Sequence, residues 1–236
     1  MSKRDKLYQN TTESVAPFEF NKAVVDVFDD MVSRSVPTYS LTQDLSVIAA
    51  RYLNAKDVLD IGCSTGTSII NLYKSLPNQI RHIVGIDASD AMITACRDNL
   101  NRTYPAKSWE LISGDARTIE FPKSDLVLLT LILQFLPQSD RPYLLSRIVE
   151  CLSPRGGAII AEKVVDSEIL RELHEDYKQL KGYSITEIQR KKEALEDVLR
   201  PLSLEDNVKM LKDAGFKSVS VVLKAFNFVT FFATKS

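Results

Sequence analysis

The sequence has little cysteine, little histidine and no long apolar run. Its three cysteines, Cys63, Cys96 and Cys151, are widely spaced and include no Cys-x-x-Cys, which favours a reducing compartment. Two histidines make a His-rich metal site unexpected, and we predict no metal. No apolar run reaches the ~18 residues of a membrane helix, and residues 1–20 lack the apolar stretch of a signal peptide. We therefore expect a cytoplasmic protein with no membrane partner.

Net charge is also nearly absent. Thirty basic residues balance 31 acidic ones, for a formal net charge of −1 and a pI near 6.2. Direct binding to a nucleic acid through charge is therefore not expected. The hydrophobic fraction of 44% and the charged fraction of 26% are typical of a globular protein. We predict a single domain over residues 1–236.

From residue 57 onward, short β-like runs alternate with helical segments. The runs are 58–61, 82–86, 109–112, 126–133 and 158–161, and the helices between them cover about 66–76, 89–103 and 139–152. This alternation predicts βαβ units and a parallel sheet. The runs 218–223 and 226–233 are too close for a crossover helix, so they predict a hairpin with an antiparallel last strand. A seven-stranded, mostly parallel sheet with its last strand reversed resembles the Rossmann-like α/β fold of class I methyltransferases.

Helical segments flank and interrupt this pattern. Residues 1–54 form a predicted N-terminal arm or lid, with helices over 21–33 and 40–54. Residues 164–200 form a predicted helical insert, interrupted at Gly182, in which Ser184 and Glu187 match a capping box. The insert carries more apolar side chains than one sheet face needs, which predicts a homodimer contact. They are Leu170, Leu173, Tyr177, Leu180, Ile188, Leu195 and Val198.

A glycine-containing loop follows the first run. Asp60, Gly62, Cys63, Ser64 and Gly66 lie between this strand and the next helix, whose N-terminus offers free N–H groups. The full Gly-x-Gly-x-x-Gly of dinucleotide-binding loops is absent. A carboxylate before the first glycine repels pyrophosphate and suits a cationic amino group, as in S-adenosylmethionine loops. The alternative interpretation is a tight strand-to-helix turn, in which the Cys63 side chain packs.

Two further acids follow successive strands. Asp87 ends the second strand, where an acid reaches the hydroxyls of a ribose; the alternative is a helix N-cap, although Ser89 fits that role better. Asp115 follows the third strand, where methyltransferases face the adenine; the alternative is an Asx-turn. Because the carboxyl ends of parallel strands meet at one edge of the sheet, these acids and the loop predict an S-adenosylmethionine-type ligand.

No residue presents itself as the catalytic base, so the catalytic residues stay unassigned. The Asn/Asp-Pro-Pro-Tyr motif of amino-methylating enzymes is missing after the fourth strand. Glu162 and Lys163 end the fifth strand at the same edge. They are either catalytic or an ion pair that holds the loop.

Six short motifs resemble the carboxy-S-adenosylmethionine synthase family, whose members were formerly called tRNA uridine methyltransferases. The resemblance covers nearly the whole chain. The motifs are Arg34-Ser-Val-Pro-x-Tyr39-Ser, Asp60-x-Gly-Cys-Ser64, Leu133-Gln-Phe-Leu136, Glu162-Lys163, Gly182-Tyr-Ser184 and Phe226-Asn-Phe228. The family's activity would be to convert S-adenosylmethionine and prephenate to carboxy-S-adenosylmethionine and phenylpyruvate, with the substrate supplying the base. A partner enzyme would then carry the carboxymethyl group to the wobble uridine of tRNA.

The resemblance also implies site residues. It places the nucleoside, whether S-adenosylmethionine, its carboxylated product or S-adenosylhomocysteine, against Tyr39, Gly62, Cys63, Ser64, Asp87, Ala88, Asp115 and Ala116. Thr130 stands where the family has Asn, and Lys192 stands where it has an Arg that contacts the extra carboxylate. Arg34 is a second candidate for the substrate carboxylates. Because Lys lacks the bidentate fork of Arg, a small-molecule methyltransferase of the same lineage is the alternative function.

Overall fold

The computed structural model describes residues 3–10 and 14–236, which form eight α-helices and seven strands. The helices are α1 Lys22–Ser35, α2 Tyr39–Tyr52, α3 Thr67–Ser75, α4 Asp90–Thr103, α5 Arg141–Cys151, α6 Glu168–Leu180, α7 Ile185–Leu195 and α8 Leu204–Asp213. The strands are β1 Asp57–Ile61, β2 His82–Asp87, β3 Trp109–Ser113, β4 Ser124–Thr130, β5 Leu152–Lys163, β6 Ser218–Ala225 and β7 Phe228–Thr234. Residues 1, 2 and 11–13 of the predicted arm lie outside the described residues.

The strands form one sheet in the order β3-β2-β1-β4-β5-β7-β6. The pairs from β3 to β5 are parallel, whereas β7 is antiparallel to both β5 and β6. The predicted seven-stranded Rossmann-like sheet with a reversed last strand is confirmed. A two-residue loop, Phe226 and Asn227, joins β6 to β7, and Phe226 has a φ of +49°.

Helices pack on both faces of this sheet. Consecutive residues of β5 face the two opposite sides of the sheet. Ile160 belongs to the core beneath α5 and α8, and Ile159 belongs to the core beneath α2, α3 and α4. The central strands are therefore buried on both faces, which is why their sequences are continuous apolar runs. Within the described residues no helix is both long and apolar enough to cross a membrane.

The N-terminal arm and the insert meet in a third core. Phe18, Phe28 and Met31 of the arm pack there with Ala194 of α7, and the backbone N–H of Phe18 donates to the carbonyl of Ala194 at 2.9 Å. The insert consists of α6 and α7, separated by Gly182 at a φ of +86°. The predicted capping box at the start of α7 is present.

Two strand boundaries differ from the predictions. The fourth strand ends at Thr130 instead of residue 133, because Leu131 has a φ of +60° and a 3₁₀ turn, Leu133–Phe135, follows. Glu162 stabilises this turn by accepting three backbone N–H bonds, at 2.8 to 3.1 Å. The fifth strand begins at Leu152, six residues before the predicted start, directly after α5.

Candidate functional site

The loop after β1 requires both of its glycines. Gly62 has a φ of +77° and Gly66 a φ of +86°, in the left-handed region that side chains avoid. A Cβ on Gly62 would overlap the Ile132 side chain, and one on Gly66 would lie 2.8 Å from Cys96 Sγ. The loop therefore passes closely between neighbouring elements before α3 begins. Ser64, at a φ of +49°, shares this backbone conformation.

Asp87 is fixed against this loop from the end of β2. Its carboxylate accepts the N–H of Ser64 at 2.9 Å and that of Ser89 at 2.9 Å. Burial raises the pKa of Asp87, and these two bonds oppose the rise. Ala88 lies between Asp87 and Ser89. The Ser89 side chain caps α4 by accepting the N–H of Met92, so the N-cap alternative for Asp87 is wrong. A carboxylate oxygen retains further lone pairs, so Asp87 can still accept hydroxyl groups.

Besides Asn227 Oδ1 in the loop between β6 and β7, three buried oxygens lack a hydrogen-bond partner among the described residues. They are Asp60 Oδ2, Thr130 Oγ1 and Gln43 Oε1. Asp60 is 1% exposed, and burial together with the charge of Asp87 raises its pKa to about 7. Buried polar atoms without partners are rare and costly. A ligand with polar hydrogens, such as an α-ammonium group, fits this set.

Gln43 is a site residue that sequence reasoning missed. It lies on α2 and is 4% exposed, yet it lines the same cavity as Thr130. The neighbouring Thr42 hydroxyl bonds the Thr230 hydroxyl at 2.9 Å, which fixes α2 to β7. A glutamine within an amphipathic helix gives no sequence signal of its own, because only the packing turns it inward.

Gln43, Gly62 and Thr130 line a cavity of about 590 Å³, within the usual size range of small-molecule sites. Gly62, Cys63, Ser64 and Thr130 line one part, which we call the loop end. Phe18, Phe20, Phe28, Phe135 and Tyr39 add aromatic walls from the arm and the 3₁₀ turn. Lys163, Lys178, Lys191 and Lys192 line another part, which we call the lysine end.

Tyr39 and Cys63 are both unreactive in this wall. Burial, with the nearby Asp29 charge, raises the pKa of the Tyr39 hydroxyl well above its ordinary value. A hydrogen bond with Cys96, together with burial, does the same for the pKa of the Cys63 thiol. A thiol that stays protonated packs and does not attack, as the sequence-based interpretation of Cys63 anticipated.

Seven predicted site residues lie outside the cavity wall: Arg34, Asp60, Gly66, Asp87, Ala88, Asp115 and Ala116. The Asp115 carboxylate pairs with Arg117 and accepts its backbone N–H at 2.9 Å, which is the Asx-turn alternative. Ala116 uses its carbonyl to accept from Arg147 at 2.8 Å. Asp60 and Gly66 also do not line the wall; Asp60 lies directly before the loop that does.

Arg34 connects the arm to the insert. Its guanidinium donates to Asp30 at 3.0 Å, to the carbonyl of Lys181 at 3.1 Å and to the carbonyl of Asp5 at 3.0 Å. It also lies 3.9 Å from the centroid of the Tyr183 ring. Its position is outside the cavity wall.

Two predictions concern lysines of this cavity: the role of Lys192 as a carboxylate ligand, and the alternative that Glu162 and Lys163 form an ion pair. Lys192 lines the cavity, but it is exposed and lies 3.3 Å from the carboxylate of Glu175. Glu162 and Lys163 form no ion pair, so that alternative is wrong. Burial raises the pKa of Glu162 to about 7, against the three N–H bonds that it accepts.

Among residues 3–10 and 14–236, no three His, Cys, Asp or Glu side chains cluster as a metal site would.

Comparison with known proteins decides the family. Residues 58–156 match the family model described as a methyltransferase domain. A carboxy-S-adenosyl-L-methionine synthase of Haemophilus ducreyi is 35% identical, over 98% of each chain. The synthase of Shewanella oneidensis is 35% identical over 98% of each chain, and that of Actinobacillus pleuropneumoniae serotype 5b is 34% identical over 98% of this chain and 99% of its own.

The chain belongs to the carboxy-S-adenosyl-L-methionine synthase family. The predicted resemblance is therefore confirmed, as are the enzyme class, a transferase that uses S-adenosylmethionine, and the cofactor. A small-molecule substrate is consistent with this class.

Solved structures support the fold. Magnesium protoporphyrin IX methyltransferase from Synechocystis, with bound S-adenosylhomocysteine, has a TM-score of 0.63 at 17% identity, over 87% of each chain. Human N-acetylserotonin methyltransferase in complex with S-adenosylmethionine has a TM-score of 0.64 at 14% identity, over 91% of this chain and 55% of its own. At these identities the likeness concerns the fold alone.

The residues present fit the nucleoside of this family. The loop glycines leave space that a Cβ would fill. The oxygens of Asp60, Thr130 and Gln43 that lack partners can accept hydrogen bonds from a ligand. Both features lie at or next to the carboxyl edge of the parallel strands, where ligands of such sheets bind.

Proposed function

We propose that this member of the carboxy-S-adenosyl-L-methionine synthase family converts S-adenosylmethionine and prephenate to carboxy-S-adenosylmethionine and phenylpyruvate. The observation that supports it most is one cavity that joins the nucleoside loop to a lysine-rich end. A cationic nucleoside and a dianionic partner both find complementary charge there.

For the nucleoside, we propose the following roles. Gly62, Cys63, Ser64 and Gly66 hold the nucleoside against backbone, and Asp87 with Ala88 binds the ribose hydroxyls. Asp60, Thr130 and Gln43 bind the amino-acid end of the nucleoside. Tyr39 closes the wall, and Asp115 with Ala116 reaches the adenine after the Arg117 side chain moves.

Bound S-adenosylmethionine supplies the sulfonium methyl carbon that receives carbon dioxide. The balance needs no protein base: prephenate loses carbon dioxide and hydroxide on becoming phenylpyruvate, the hydroxide takes one methyl proton as water, and the methyl carbon bonds to the carbon dioxide. The protein's task is to hold both reactants together and to exclude bulk water. We assign the lid role to residues 1–54 and 164–200, which meet through Phe18 and Ala194.

Mass spectrometry tests this function. The purified protein is incubated with S-adenosylmethionine and prephenate labelled with ¹³C in the ring carboxyl group, and the released nucleoside is weighed. We expect a mass of S-adenosylmethionine plus labelled carbon dioxide, and none without prephenate. Asp87→Ala is the inactive control. Only unmodified S-adenosylmethionine or S-adenosylhomocysteine would refute the synthase proposal.

That refuting outcome would favour the second candidate, a small-molecule methyltransferase. Two observations keep it in view: Thr130 stands at the family's Asn position, and Lys192 lies exposed beside Glu175. A screen for transfer of a labelled methyl group to small acceptors would then identify the activity.

We also propose a homodimer that forms through α6. Ile169, Leu173 and Leu180 are 68%, 45% and 87% exposed, and their spacing places them on one side of this helix. Leu173→Lys with Leu180→Lys would separate such a dimer into monomers in light scattering. A wild-type monomer at micromolar concentration would contradict the dimer.

The remaining proposals concern location and partners. We propose a cytoplasmic enzyme whose cysteines stay reduced; Cys63, Cys96 and Cys151 are free and buried. Its product would serve tRNA modification through a partner enzyme, with no direct contact between this chain and nucleic acid. Binding of labelled tRNA at low salt would contradict that separation.

A further inference from the structure

The lysine end gathers positive charge from three elements. Lys163 ends β5, Lys178 belongs to α6, and Lys191 and Lys192 belong to α7, yet all four line one cavity. Arg171 and His174 of α6 line it as well. The acids on the wall are Glu175, Glu193 and Glu196, and Glu175 alone forms an ion pair within the described chain, with Lys192.

The other three lysines form no ion pair among the described residues. Lys191 Nζ donates to the hydroxyl of Ser35 at 3.0 Å and lies 5.8 Å from the centroid of the Tyr183 ring. Neither Lys163 nor Lys178 has a side-chain hydrogen bond or ion pair there. These lysines are half-buried and line the cavity without a counter-charge in direct contact, so the cluster is suited to an anion that enters the cavity.

The charges in this region act on one another. Burial first, and then neighbouring lysines, lower the pKa values of Lys178 and Lys191 to about 8. Burial and Lys192 also lower the pKa of Lys163, whereas Glu175 raises it. The nearby Asp5 opposes the shift at Lys191 and Arg34 adds to it. An anion placed among these groups would raise all three pKa values.

His174 remains neutral beside them. Its Nε2 lies 2.8 Å from the backbone carbonyl of Ser35, which can only accept, so Nε2 carries the proton. Burial and the surrounding lysines lower the pKa of His174 to about 3. The ring supplies no charge, and the cations of this region are therefore the lysines.

The sheet places this cluster next to the nucleoside end. Lys163 follows Ala161 by two residues and so lies on the same face of the sheet. Ala161 pairs with Thr130 on the neighbouring strand β4. Thr130 lies at the loop end, and its hydroxyl has no hydrogen-bond partner among the described residues. A molecule held by Lys163 is therefore within reach of one held at Thr130.

We propose that Lys163, Lys178 and Lys191 form the binding site for the two carboxylates of the second substrate, and that Lys192, paired with Glu175 at the rim, does not select it. This inference rests on the proposed function, because it names the residues that hold that function's dicarboxylate. Two carboxylates need at least two cations, and three half-buried lysines supply them without a bidentate arginine.

Calorimetry tests this site without turnover. The protein saturated with S-adenosylhomocysteine is titrated with prephenate at pH 8.5, in Tris and in HEPES. We expect proton uptake in the wild type, because carboxylates raise the pKa values of Lys178 and Lys191. We expect prephenate to bind about 10- to 100-fold more weakly to Lys163→Met, Lys178→Met and Lys191→Met, as for a lost charge-assisted hydrogen bond. The controls, Lys192→Met and the exposed, distant Lys212→Met, should bind prephenate with nearly wild-type affinity.

Stability supplies a second readout. Removing one of these half-buried, mutually repelling charges is expected to raise the melting temperature of Lys178→Met and Lys191→Met while prephenate binding is lost. A lysine with a structural role would instead lower the melting temperature when it is replaced. Lys191→Arg should retain binding. Should a Met variant fail to fold, the buffer dependence of the wild type still decides. Absence of proton uptake, or unchanged prephenate affinity in the folded Met variants of Lys163, Lys178 and Lys191, would overturn the proposal.

The two proposals fail separately. If prephenate binds with proton uptake but no carboxylated nucleoside forms, the proposed reaction is wrong and the lysine site stands. If the carboxylated nucleoside forms and the lysine variants bind prephenate normally, the reaction stands and the lysine site is wrong.

Discussion

The Asp60 carboxylate makes the pH dependence of nucleoside binding a quantitative test. Asp60 is buried, its Oδ2 has no partner in the described chain, and its pKa is raised to about 7 by burial and by Asp87. If it pairs with the α-ammonium group of the nucleoside, binding favours the ionised form and releases a proton below pH 7. Affinity should therefore fall as the pH falls.

The size of the effect follows from that pKa. The dissociation constant scales as one plus the ratio of protonated to ionised Asp60, which is about 2 at pH 7.0 and about 33 at pH 5.5. S-adenosylhomocysteine should thus bind about 15-fold more weakly at pH 5.5 than at pH 7.0, a difference in binding free energy of about 1.6 kcal/mol. This window lies below pH 8, near which Lys178 and Lys191 lose protons.

Isothermal titration calorimetry with two ligands and one variant isolates the cause. 5′-Methylthioadenosine lacks the ammonium group, so its affinity should not share this slope. Asp60→Asn should bind S-adenosylhomocysteine about tenfold more weakly at pH 7.0 and should also lose the slope. Glu162, whose pKa is also about 7, titrates equally in all three experiments. An undiminished slope in Asp60→Asn, or an equal slope for 5′-methylthioadenosine, would refute the assignment.

Three further predictions concern the loop and its support. Asp87→Ala should lower the affinity for S-adenosylhomocysteine at least ~100-fold in calorimetry, because two backbone N–H groups and the ribose lose their acceptor; affinity within about threefold of wild type would mean that the ribose binds elsewhere. Gly62→Ala should lower the free energy of unfolding by about 3 kcal/mol in urea, because φ is +77° and the new Cβ overlaps Ile132; a loss below about 1 kcal/mol would contradict this. Arg141→Met should also lower the free energy of unfolding by about 3 kcal/mol, because this buried side chain donates to two backbone carbonyls. Arg97→Met, at an exposed position, should change it by less than about 0.5 kcal/mol. Equal losses in the two variants would contradict a structural role specific to Arg141.

The lysine end also bears on stability. Three half-buried cations within one cavity repel one another, so the free protein is expected to be less stable than its complex with an anion. An inert dicarboxylate should therefore raise the melting temperature, and an uncharged molecule of similar size should not.

Local sequence determined the framework and part of the site. The alternation of apolar runs with helical segments gave the sheet, since strands buried on both faces must be apolar throughout. Gly62 and Gly66 were identifiable because a strand that enters a helix through a tight loop needs positive φ at fixed positions. Asp87 was identifiable because it ends the next strand at the same edge of the sheet. The short spacing between the last two runs left no room for a crossover, so the reversed strand followed.

Tertiary structure decided which charges face the cavity. Lys191 and Lys192 are adjacent in sequence, but neighbouring residues on a helix point about 100° apart. Packing alone half-buries Lys191 beside Ser35 and leaves Lys192 exposed beside Glu175. The inward position of Gln43 and the bonding of Arg34 to the arm depend equally on distant segments. Contacts between residues more than a hundred positions apart, such as that of Arg34 with the carbonyl of Lys181, have no local sequence pattern, so only the folded chain could reveal them.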